Sequence, residues 1–153
     1  MNIWLLDTSV LCELLRVPNC SDHYRQVTQE LKRKIERRDT LLLPMTSIFE
    51  TGNLIGQNGD GTQRRQAALR FVERVREAIQ GKAPFQPTPF FEPEQVLGWL
   101  EQFPKWVQQS DSRGRGSGFG DLSIVQEWER QRQLNPGRQV RIWSLDEHLE
   151  VYG

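Results

Sequence analysis

The sequence predicts an α/β fold on a mainly parallel sheet. Short apolar runs of strand length, at Ile3–Leu6, residues 41–43 and Val140–Trp143, alternate with long stretches of helical periodicity. Such alternation is the mark of the α/β class. The 153 residues show no internal repeat and no linker long enough to split them, so residues 1–153 are expected to form one domain.

Each element has its own signal. Residues 3–6 read as a buried strand that stops at Asp7. Val10, Leu11, Leu14 and Leu15 recur at helical spacing, and Pro18 closes that helix. A second helix is expected over residues 22–38. Val27, Leu31 and Ile35 lie on one face, and Lys32, Arg33, Lys34, Arg37 and Arg38 form a basic, solvated face. After the strand at 41–43, Thr46 and Ser47 open a helix carrying Ile48, Phe49, Leu54 and Ile55. Residues 56–61 form a loop by composition. Residues 63–80 form an amphipathic helix with Ala68, Phe71, Val72, Val75 and Ile79 inward.

Residues 81–93 are proline-rich, with a short extended piece at Pro89, Phe90 and Phe91. A helix follows over 94–109, which Pro104 is expected to kink or split. Residues 110–120 hold four glycines and read as a flexible loop. Asp121 is expected to start a helix with Leu122, Val125 and Trp128 on one face. A short helix ending near Tyr152 follows the last strand. Trp99, Trp106, Trp128 and Phe103 are expected in the core rather than lining a groove for a partner helix.

Apolar residues make up 37% of the chain, but they cluster in periodic runs that support a core. Lys and Arg number 20, as do Asp and Glu, which argues against binding nucleic acid by bulk charge. No apolar run approaches a membrane span, and residues 1–7 lack the form of a signal peptide. A cytoplasmic location is therefore expected, with Cys12 and Cys20 as free thiols and Cys12 buried. With only His23 and His148 and no CxxC, neither a Cys–His zinc site nor histidine catalysis is supported.

Four acids stand out by position. Asp7 directly follows the first strand, and Glu50 lies one turn into the helix after the second. Asp121 follows the glycine loop, and Asp146 lies just beyond the last strand. Ligands of open parallel sheets bind outside the carboxyl ends of the strands, so these acids can share one pocket. Converging carboxylates repel, and a hard divalent ion removes that cost. Such an ion also suits phosphodiester cleavage, because it acidifies water and steadies the leaving oxygen. Each acid also has a purely structural reading. Asp7 and Asp121 fit helix N-caps, and Ser47-x-x-Glu50 and Ser144-x-x-Glu147 fit capping boxes.

Four ordered segments resemble the PIN-domain ribonucleases, and within them the VapC-type toxins of toxin–antitoxin pairs. They are Leu5-Leu6-Asp7-Thr8-Ser9-Val10-Leu11, Met45-Thr46-Ser47-Ile48-Phe49-Glu50, Gly120-Asp121-Leu122-Ser123-Ile124-Val125, and Ile142-Trp143-Ser144-Leu145-Asp146-Glu147-His148-Leu149. The resemblance implies a three-layer α/β/α fold and an endoribonuclease dependent on Mg²⁺ or Mn²⁺. Asp7 and Asp121 would be the principal metal ligands, and Glu50 and Asp146 would complete the pocket. Thr8, Ser9 and Ser144 would orient the carboxylates, with water attacking in line and no covalent protein intermediate.

The implied partners are RNA and an antitoxin, with a homodimer also in view. The chain departs from the resemblance in its long segment between Glu50 and Asp121 and in the bulky residues Gln126 to Glu129. Arg113 and Arg115, beside Asp121 on the glycine loop, are candidate RNA contacts. Two rival readings are a non-catalytic PIN-like module that binds RNA or protein, and another α/β phosphohydrolase of the haloacid-dehalogenase kind. The latter needs a D-x-D motif, and position 9 is serine.

Overall fold

The computed structural model describes residues 1–153. Four short strands form one sheet: β1 (Ile3–Leu6), β2 (Thr40–Leu43), β3 (Phe85–Pro87) and β4 (Val140–Trp143). Their order is β3-β2-β1-β4, and every neighbouring pair is parallel. All four carboxyl ends therefore lie on one edge. Register sets which side chains share a face. Ile3 stands beside Thr40 and Val140, and Leu5 beside Leu42 and Ile142.

The helices are α1 (Thr8–Leu14), α2 (Tyr24–Glu36), α3 (Met45–Gln57), α4 (Gly61–Ile79), α5 (Pro93–Trp106) and α6 (Phe119–Leu134), followed by a closing 3-10 helix (Glu147–Tyr152). One sheet face, with Leu6, Leu41, Leu43, Phe85 and Trp143, packs against α1 to α4 through Val10, Leu11, Val27, Ile48, Ile55 and Ala67. On the other face Ile142 packs with α5, α6 and the 3-10 helix through Trp99, Leu122, Ile124 and Leu149. Helices thus cover both faces, as expected of an α/β/α sandwich. No helix is long and apolar enough to cross a membrane.

Several local expectations need correction. The third strand is Phe85–Pro87, not the piece at 89–91. It is an edge strand, where proline is tolerated because no ladder donor is needed on its open side. Pro104 does not split α5. It lies in the last turn, where the helix is about to end. Helix α4 packs Ala68, Phe71 and Val75 against the core as expected, but it also buries Ala67 and Ala78 and leaves Val72 and Ile79 exposed. Trp99 and Trp106 are buried and Trp128 and Phe103 pack against them, so they are core and not a groove.

The basic face of α2 is interrupted. Lys34 is buried, its ammonium 3.9 Å from the Trp4 ring centroid and 4.5 Å from that of Trp143, and paired with Glu30 at 3.2 Å. Burial lowers its pKa, and Glu30 offsets part of that effect. The aromatic faces take the place of water here, so Lys34, not Ile35, completes the inward stripe with Val27 and Leu31.

Leu5 has no exposed surface and sits on the central strand. Leu5→Ala should cost about 2–5 kcal/mol of folding stability, measured by urea unfolding, with the transition still cooperative.

Candidate active site

The end of β1 sets the site. The amide of Asp7 donates to the Trp143 carbonyl at 3.0 Å, tying the two neighbouring strand ends together. Asp7 stands at the N-cap position of α1, but its carboxylate caps nothing. Instead Oδ2 accepts hydrogen bonds from Ser144 Oγ at 2.7 Å and Ser9 Oγ at 2.9 Å. The same two hydroxyls accept the amides of Asp146 and Leu145. One small network therefore fixes both Asp7 and the turn that carries Asp146.

Glu50 lies in the second turn of α3 and accepts from Thr8 Oγ1 at 2.8 Å. The expected capping box with Ser47 does not form. Ser47 is inside the helix, fully buried, and donates to the Leu6 carbonyl at 2.7 Å. Asp121 does not start α6. The helix begins at Phe119, with Gly118 as cap, and Asp121 occupies its first turn. Its nearest hydroxyl, Ser117, is 3.4 Å away. Asp146 does cap, accepting from the His148 amide through Oδ1 at 2.9 Å, which leaves Oδ2 free of protein partners. The box between Ser144 and Glu147 is thus replaced by this cap.

All four acids line one cleft of about 450 Å³, with Thr8 and Ser9. No lysine or arginine pairs with any of them. Burial raises the Asp7 carboxyl above its usual range, against the pull of Ser144 and Ser9. Burial also raises Glu50, with Asp7 and Asp146 adding repulsion. Asp121 is pushed up to about 7, by burial first and then by Asp146, Asp7 and Glu50. As they stand, no three His, Cys, Asp or Glu side chains are gathered tightly enough to hold an ion. The donor set nevertheless fits a hard divalent cation. It is all oxygen, it is acidic, and its excess negative charge is relieved only by protons.

Other residues hold the acids in place without any sequence signal of their own. Thr46 and Ser123 share a hydrogen bond of 2.6 Å that pins α3 to α6. A side chain at Gly120 would meet the Glu50 carboxylate and displace it, so the glycine lets that carboxylate lie against the start of α6. Arg113 and Arg115 lie in an adjoining cleft that shares Asp121 and Asp146 with the first. Residues 110–116 are not a slack loop. Ser110 and Gly116 pair as an antiparallel bridge, and Asp111 binds the amides of Arg113 and Arg115. His148 is largely buried, and its Nε2 has no hydrogen-bond partner. His23 is mostly exposed, against Glu13.

The raised carboxylates carry a stability consequence. Asp121 has an ordinary pKa near 3.8 unfolded and about 7 folded, so between these values the folded state holds the extra proton. The contribution of Asp121 to stability without metal should be full below pH 4, fall as pH rises through this window, and level off above it. Scanning calorimetry in EDTA should show Asp121→Asn matching the parent near pH 4 and exceeding its Tm at pH 8.

No protein-family model matches the chain, and no curated protein matches it in sequence. Solved structures do match. The crystal structure of Mycobacterium tuberculosis VapC20, a sarcin-ricin loop cleaving toxin, aligns over 98% of this chain and 95% of that one, with a TM-score of 0.57 and 16% identity. At that identity the likeness is one of fold. This chain, with its all-parallel sheet between two helical layers, shares its fold with that toxin.

Proposed function

We propose that the chain is an endoribonuclease dependent on Mg²⁺ or Mn²⁺ and the toxin half of a toxin–antitoxin pair. The observation that carries this reading is the cleft where Asp7, Glu50, Asp121 and Asp146 meet without a basic partner. The fold it shares with a toxin that cleaves the sarcin-ricin loop supports it further. The antitoxin that would silence it, and a homodimer, belong to the same proposal, as does a cytoplasmic location.

Asp7 and Asp121 would be the principal ligands, with Glu50 and Asp146 completing the set. When bound, the ion supplies an acidified water and charge to stabilise the phosphate and the departing oxygen. The protein's own part is to aim and to hold protons. Ser9 and Ser144 fix one oxygen of Asp7, and the other is left for the cleft. Thr8 does the same for Glu50. Asp121, titrating near neutrality, can release its proton as positive charge arrives. Ser9 stands where a D-x-D phosphatase has its second acid, and it donates to Asp7, so that chemistry lacks a group here.

The test is cleavage of a mixed RNA pool by purified protein in Mn²⁺, in Mg²⁺ and in EDTA. Cutting should require metal and drop to background in Asp121→Asn. Ser144→Ala should lose roughly 10–100-fold, as expected when a group orienting a metal ligand is removed. Equal cutting by parent and Asp121→Asn would sink the proposal. Absence of cutting with folded, antitoxin-free protein would leave the non-catalytic module.

A further inference from the structure

Charge is unevenly shared over this neutral chain. The cleft that gathers the four acids is also lined by Glu13 and Asp22, and it holds no lysine or arginine. Its field repels a polyanion approaching from solution. Positive charge collects elsewhere. A groove of about 350 Å³ follows the outer side of β4, which is an edge strand of the sheet. Arg132, Arg138 and Arg141 line it, and no acidic side chain does.

Two of these arginines are held by neutral groups. Arg138 donates to the carbonyls of Met1 and Asn2 at 3.3 and 3.4 Å, and to Thr40 Oγ1 at 2.8 Å. Arg141 donates to Gln139 Oε1 at 2.6 Å. Neither has an ion pair, so they are fixed in place without losing their charge. Arg132 lies 4.6 Å from the Trp128 ring centroid. Its one acid, Glu129, meets it at 3.3 Å, with the two side chains 51% and 46% exposed. A pair that exposed is weak and easily exchanged. The wall between them is aromatic and rigid. Trp128 Nε1 donates to the Val140 carbonyl at 2.8 Å, and the Tyr152 ring stands edge-on to Trp128 at 4.9 Å.

Charge on an edge strand often serves only to discourage pairing with another chain. That purpose is already met here. Trp128 takes the outward Val140 carbonyl, and Gly153, at the end of the closing 3-10 helix, lies against that of Ile142. Three guanidiniums converging on a groove without acids need another explanation, and their fork geometry suits phosphate.

We propose that this groove is a second RNA-binding surface, which takes phosphates of the substrate at a distance from the acids. Arg132 and Arg141 grip the backbone, and the fixed charge of Arg138 adds to their field. The inference rests on the nuclease reading for the identity of the RNA as substrate. It adds a requirement on that substrate. The groove lies beside the amino half of β4, whereas Asp146 lies beyond its carboxyl end. A four-residue strand is about 13 Å long. RNA that fills both places is therefore long or folded, and a dinucleotide is too short.

The experiment uses the full chain and a fluorescein-labelled RNA hairpin. Binding is followed by anisotropy in EDTA over a series of salt concentrations. Arg132→Ala with Arg141→Ala should weaken binding about tenfold at low salt and flatten the slope of log K against log salt by about 1.5, the share of two phosphates. Arg132→Lys with Arg141→Lys keeps both charges and should keep the slope. Arg65→Ala with Arg76→Ala, on the exposed side of α4, removes the same charge and should change little.

Parent-like affinity and slope in the alanine pair would overturn the groove. So would an equal loss in the α4 pair, because bulk charge would then explain the binding. A slope as flat in the lysine pair as in the alanine pair would also overturn it, since charge would not be the cause. The readout needs no cleavage, so the two readings fail separately. A parent that binds through the groove but never cuts in Mn²⁺ or Mg²⁺ brings down the nuclease alone. A parent that cuts while the alanine pair binds as it does brings down the groove alone.

Discussion

Asp7 is a carboxylate that the fold buries almost completely and answers with two hydroxyls instead of a cation. Much of the site's architecture follows from that choice. A buried charge needs strong local hydrogen bonds, and here these come from Ser9 on the following helix and Ser144 beyond the neighbouring strand. The parallel pairing of β1 with β4 makes the second possible, because it brings residues 6 and 143 side by side. The hydroxyls that hold Asp7 also receive the amides of Leu145 and Asp146. Placing the first acid therefore places the last.

The other two acids arrive by helix contact and not by the sheet. Glu50 is carried by α3 and Asp121 by α6, and these helices are joined by the hydrogen bond between Thr46 and Ser123. Gly120 lets the Glu50 carboxylate lie against the α6 backbone. Bringing α6 this close is also what raises Asp121 so far, since burial and three nearby acids act together on it. Close packing and electrostatic strain are thus one arrangement, with the raised carboxyls relieving repulsion by keeping protons.

The layered fold and the placing of Asp7 and Asp146 were legible because both depend on strand ends, which short apolar runs mark well. An acid just past a buried strand in a parallel sheet has little choice of direction. The finer parts were not legible, for physical reasons. Lys34 reads as one more basic residue on a solvated helix, and only the tertiary meeting of Trp4 and Trp143 gives it an apolar seat. The burial of His148 has no local signal, because Asp111, which folds back beside it, lies 37 positions earlier. The glycines of residues 110–120 suggest slackness by composition, whereas Asp111 turns them into a fastened hairpin. The N-cap reading of Asp7 had the position right and the bonding wrong, because Ser144 competes for the same oxygen.

The hydrogen bond between Asp7 and Ser144 spans 137 positions of sequence, and the central strand waits for β4 to gain its second neighbour. A ribosome making this chain has long since released Asp7 when it reaches Ser144. For most of synthesis the first acid has no hydroxyl from the far strand, the last acid does not exist, and the cleft has no wall on that side. A chain interrupted before its final strand would carry three of the acids and no assembled site. Completion of the cleft is then set by strand order itself, because it waits for the last strand.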